Sequence, residues 1–92
     1  MNDPIITQFY LRLTARKQEI LTLLCNGWSN EEIAHALFIA PSVVAGHLTE
    51  IYGEFHNLEL YAQRQISRHI MISVFAPFFD RHPELRASIR AG

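Results

Sequence analysis

A chain of 92 residues, 49% hydrophobic and 18% charged, describes one small globular domain and excludes a disordered segment. Eight Lys and Arg against nine Asp and Glu give a net charge of −1, which excludes a binder that works through bulk positive charge. No apolar run reaches the ~18 residues of a membrane span, the first seven residues lack the basic and apolar pattern of a signal peptide, and Cys25 is the only cysteine, so a reducing cytoplasm is the expected setting.

The spacing of apolar residues predicts helices throughout. Asp3-Pro4 suits a helix start, with Ile5, Ile6, Phe9 and Tyr10 recurring behind it. Thr14 can cap a second helix to about Cys25, carrying Ile20, Leu21, Leu23 and Leu24, and Asn26-Gly27 closes it. Ser29-Asn30-Glu31-Glu32 has the form of a capping box, opening a short helix with Ile33, Ala34 and Leu37 inward. Phe38 to Ala40 form a turn. Pro41 then starts a helix to about Phe55, in which Val44, Leu48, Ile51 and Phe55 make one buried stripe.

Beyond His56-Asn57, Ala62, Ile66, Ile70, Val74 and Phe78 lie four apart and predict one long helix from Leu60 to Phe79, with Pro77 ending or kinking it. His82-Pro83 suggests a last helix to Arg90 holding Leu85 and Ile89. No strand alternation, repeat or low-complexity tract interrupts this order. The expectation is an all-α fold, one free-standing domain over residues 1–92, with a short N-terminal helix, a core at 13–57 and a helical extension at 58–92.

The segment Leu13 to Asn57 resembles the helix-turn-helix of LuxR/GerE-type bacterial transcription regulators. The family's opening Leu-Thr-x-Arg is present as Leu13-Thr14-Ala15-Arg16, and Glu19 and Leu21 fit the positions that follow. The run Gly27-Trp28-Ser29-Asn30-Glu31-Glu32-Ile33-Ala34 matches its central motif, and Leu37, Ile39, Val44, His47, Leu48, Ile51 and Tyr52 continue the register without a gap. The resemblance implies regulation of transcription, with duplex DNA read by the helix at 41–55. Ser42, Val43, Ala45, Gly46, Thr49 and Gly53 are the candidate groove-facing positions. Arg12, Arg16, Lys17, Asn30, His47, Arg64 and Arg68 are candidate phosphate contacts. Because relatives commonly pair through the following helix, Ile66, Ile70, Met71, Val74, Phe75, Phe78 and Phe79 are the expected homodimer interface. A C-terminal segment folding back over these residues is the alternative.

The chain departs from its family where chemistry matters. The serine, threonine and lysine that usually open the recognition helix are replaced by Ala40, Val43 and Ala45, and a later lysine by Glu54. Between Lys17 and Arg64 there is no cation, while Glu19, Glu31, Glu32, Glu50, Glu54 and Glu59 contribute six negative charges. Phosphate neutralisation by Lys and Arg supplies most non-specific DNA affinity. A second possibility therefore stands beside DNA binding: a protein-interaction module that modulates or inhibits another transcription factor. The sequence shows no phosphate loop, nucleophile elbow or paired-cysteine motif, and its five histidines lack ligand spacing. Neither an enzyme, a metal, a cofactor nor a small-molecule ligand is expected from it.

Overall fold

The computed structural model describes residues 3–88, and among them the chain is entirely helical. Five α-helices follow one another: α1 (Asp3–Arg12), α2 (Ala15–Cys25), α3 (Asn30–Leu37), α4 (Pro41–His56) and α5 (Arg68–Arg81). Short 3₁₀ turns occupy Glu59–Tyr61 and Pro83–Leu85.

Local chemistry sets most of the boundaries. The Thr14 hydroxyl accepts from the Lys17 amide at 3.2 Å and starts α2. Gly27, at φ +87°, turns the chain after α2 in a conformation that glycine adopts without steric cost. At α3 the capping box is complete: the Glu32 amide donates to the Ser29 hydroxyl at 3.1 Å, and the Ser29 amide donates to the Glu32 carboxylate at 2.8 Å. That bonding holds the Glu32 carboxyl below the usual carboxylate range. Helix α4 begins on Pro41 without any side-chain cap, because Ala40 has no oxygen to offer.

The core is one cluster in which α1 and α5 close over the open side of α2–α4. Val44, Leu48, Ile51 and Phe55 of α4 meet Ile20, Leu21, Leu24 and Ile33. Phe55 then joins an aromatic group: its ring lies 5.1 Å from Phe9 and 5.8 Å from Phe75, while Tyr10 meets Phe79 edge-on at 5.3 Å. Burying each such side chain stabilises by about 1.5–3 kcal/mol. A chain of this length therefore depends heavily on the helices outside its central three.

Two expectations for the C-terminal third need correction. The helix predicted from Leu60 to Phe79 begins only at Arg68, capped by the Ser67 hydroxyl, which accepts from the Ile70 amide at 3.3 Å. Leu58 and Tyr61 fold back on the core, with the Tyr61 ring 4.3 Å from Phe55, and a continuous helix could not make that turn. Pro77 does not end α5, which runs on to Arg81. The backbone bond it forfeits is to the carbonyl of Ser73, and both residues lie on the exposed side, where water can replace the missing donor. The last predicted helix is only the turn Pro83–Leu85, and the expected continuation through Ile89 and Arg90 lies outside the described residues. The chain past α5 nevertheless returns over the core: the Ala87 amide donates to the Thr22 hydroxyl at 3.2 Å, and the Arg86 guanidinium stands 5.7 Å above the Phe79 ring.

The expected dimer surface changes with this. Met71, Phe75, Phe78 and Phe79 are buried inside the chain's own core and present nothing to a second copy. Ile66, Ile70 and Val74 are half-buried at its margin. One short domain does bury these aromatics, because α1 supplies Phe9 and Tyr10 as partners.

Candidate nucleic-acid interface

Helices α3 and α4 meet at 109° across the turn Phe38–Ala40. Two helices at roughly 90–120° joined by three or four residues are the geometry of a helix-turn-helix. The turn is made by Phe38 at φ +58°, a left-handed conformation usually left to glycine or asparagine, and its ring is 72% exposed. Ile39 covers the inner side and packs on the core, and its amide donates to the Ala34 carbonyl at 3.1 Å. The buried stripe of α4 leaves its opposite face outward, so that Ser42, Val43, Ala45, Gly46, Thr49 and Gly53 are all exposed.

That face is chemically sparse. The Thr49 hydroxyl is spent on the Ala45 carbonyl at 3.0 Å, leaving the Ser42 hydroxyl as the free side-chain hydrogen-bonding group among these six. A Cβ added at Gly46 or Gly53 would meet nothing within 4 Å, so the fold's own packing requires neither glycine. His47 lies at the edge of the face, half-buried, with Nδ1 3.5 Å from a Glu50 carboxylate oxygen.

The cations divide into engaged and free. Lys17, only 13% exposed, lies between the α4 carboxylates, 3.2 Å from Glu54 and 3.9 Å from Glu50. Arg16 pairs with Glu19 at 3.4 Å. Arg68 donates to the Asn30 side-chain oxygen at 2.9 Å and to the Trp28 carbonyl, so it braces the start of α3 from α5. Of the candidate phosphate contacts, Arg16, Lys17, Asn30 and Arg68 are thus engaged within the chain. Arg12 and Arg64 are exposed and form no ion pair among the described residues.

Some structurally important residues carried no local signal. The Lys17 pairing with Glu54 spans 37 positions, and the Arg68 contact to Trp28 spans 40. Asp3 joins the two ends of the fold: Arg81 grips its carboxylate with two bonds, at 2.7 and 2.9 Å, and His82 Nε2 lies 2.9 Å away. Those bonds lower the Asp3 pKa to about 2. Burial pushes the Cys25 thiol up to about 12, which leaves it unreactive at neutral pH. Among the described residues no group of His, Cys, Asp and Glu is placed to hold a metal, and no single helix is long and apolar enough to cross a membrane.

The fold and this surface define a helix-turn-helix protein. The family model described as bacterial regulatory proteins, luxR family, matches residues 11–56, from the end of α1 through α4, and the chain belongs to that family. It is 31% identical over 84 residues to the uncharacterized transcriptional regulatory protein YhcZ of Bacillus subtilis, covering 91% of this chain and 35% of that one. It is 41% identical over 61 residues to a protein of Escherichia coli named as an HTH-type transcriptional regulator, YhjB, covering 66% and 29%. The chain thus spans about a third of the length of these relatives. No solved structure matches it significantly.

Proposed function

We propose that this chain regulates transcription by placing α4 in the major groove of duplex DNA. The observation that carries the proposal is the uncovered outer face of α4, held at 109° to α3 by a luxR-family helix-turn-helix. The Ser42 amide, in the first turn of α4, has no hydrogen-bond partner among the described residues and offers a donor at the positive end of the helix dipole to a phosphate. Val43 and Ala45 offer methyl groups, which suit the thymine methyl, and Ser42 offers a hydroxyl. Readout by this set is mostly steric and apolar. Affinity is correspondingly low: random duplex should bind more weakly than about 10⁻⁵ M at physiological salt, with a shallow salt slope, because few free cations displace counterions. For a paired form on DNA, Ile66, Ile70 and Val74 are the residues left to make contact.

The test is a fluorescence-anisotropy titration of labelled duplex with the native chain and with Ala45→Lys. Position 45 is exposed, so the lysine reaches solvent without disturbing the core. For a DNA-facing helix, affinity should rise about fivefold, roughly 1 kcal/mol, with a steeper salt dependence. A helix that instead receives another transcription factor would leave DNA affinity unchanged and lose that partner, since an unpaired buried charge is costly. Unchanged DNA affinity refutes the proposal.

A further inference from the structure

A second concave surface lies on the side of α1. A half-enclosed cavity of about 430 Å³ lies between α1 and the last turn of α4. Its apolar wall is Ile5, Phe9 and Leu58, and Ile5 remains 42% exposed. Pockets that take small ligands fall in the range of about 300–1,000 Å³ and combine apolar walls with a few placed polar groups.

The polar groups are unusual in their pairing. Arg12 and Glu54 line the same cavity but form no ion pair with each other. Glu54 gives one carboxylate oxygen to Lys17 at 3.2 Å, and its other oxygen has no hydrogen bond among the described residues. Arg12 forms no ion pair there either, whereas Arg16, Lys17, Arg81 and Arg86 each have an acidic partner. The side-chain amides of Gln8 and Asn57 complete the rim.

A cation and an anion facing one cavity without meeting complement a ligand that carries both charges. We infer that this cavity binds a free α-amino acid with an apolar side chain. Arg12 would hold the carboxylate in its planar fork, and Glu54 would accept from the ammonium. Ile5, Phe9 and Leu58 would receive the aliphatic or aromatic side chain. A simple carboxylate would leave the free Glu54 oxygen without a donor, and a simple amine would leave the Arg12 guanidinium without an acceptor. Occupancy would tie α1 to the end of α4. It would therefore stabilise the domain from a site separate from the outward face of α4.

The experiment is an amide chemical-shift titration of the folded chain with L-leucine and L-phenylalanine, with hexanoate and hexylamine as ligands carrying one charge each. Saturable shifts should appear at Ile5, Gln8, Phe9, Arg12, Asn57 and Leu58, and each half-ligand should bind at least about tenfold more weakly. Arg12→Gln should weaken the amino acids by about tenfold or more, and its melting temperature without ligand, unchanged for an exposed residue, shows that it is folded. Saturating leucine should raise the native melting temperature by about 5 °C and leave that of Arg12→Gln where it was. Absence of saturable shifts at these residues, equal binding of hexanoate and leucine, or undiminished binding by Arg12→Gln overturns the inference.

Discussion

Replacing Phe75 by alanine tests whether α5 belongs to the core of a single chain or to a pair of chains. Phe75 is fully buried, and its ring lies between 5.6 and 6.4 Å from those of Phe9, Tyr10, Phe55, Phe78 and Phe79. Removing a buried phenylalanine costs about 3–5 kcal/mol, part of it for the cavity left behind. Native stability runs at roughly 0.05–0.15 kcal/mol per residue, so a domain of this length holds about 5–14 kcal/mol. The substitution should therefore remove at least about a fifth of the stability. At about 4–8 °C per kcal/mol, the melting temperature should fall by at least about 12 °C. Val43→Ala, on the exposed face of α4, is the control and should stay within about 0.5 kcal/mol. Thermal unfolding followed by circular dichroism across a wide range of protein concentration is the assay. The native melting temperature should not depend on concentration, because the aromatic cluster is intramolecular. A loss below about 1 kcal/mol for Phe75→Ala would refute the reasoning, as would a melting temperature that climbs with concentration in the manner of an obligate dimer.

Two further substitutions probe the ends of helices. Ala40→Ser should supply the missing side-chain cap of α4, its hydroxyl accepting from the Ser42 amide, and raise stability by about 1 kcal/mol in chemical denaturation. Asp3→Asn should flatten the acid limb of the stability curve. The native Asp3 pKa, lowered to about 2, lies below the unfolded value near 3.9, so its contribution is complete above about pH 4 and disappears as the pH falls toward 2. Melting temperatures of the native chain and Asp3→Asn should differ at neutral pH and converge over that window, with a residual slope from Glu32.

The parts of the fold legible in the sequence are those written in contiguous residues. Thr14, Gly27 and the Ser29–Glu32 pair announce their boundaries by short-range chemistry, and the four-residue stripe from Val44 to Phe55 identifies which side of α4 turns inward. Its exposed complement follows by geometry, so the outward residues of the candidate site were readable from spacing alone. The break before α5 was not. Ala62, Ile66 and Ile70 keep helical spacing across it, and only the packing of Tyr61 on Phe55, together with the Ser67 cap, stops the helix from starting earlier. Phe38 gave no sign of its left-handed turn, because nothing about phenylalanine favours that conformation. The state of Lys17 and Arg68 was equally hidden. Both look like free cations in the sequence, and both are occupied by groups far along the chain.

The central claim is that the outer face of α4 is the surface that meets DNA. It is tested most directly by an amide chemical-shift map of the labelled chain with a short duplex at low salt. The account predicts perturbations centred on Ser42, Val43, Ala45, Gly46 and Thr49 that fade as salt is raised, with α5 and the Asp3–Arg81 contact undisturbed. Duplex that moves other resonances while leaving that face unshifted, or moves none, would contradict it.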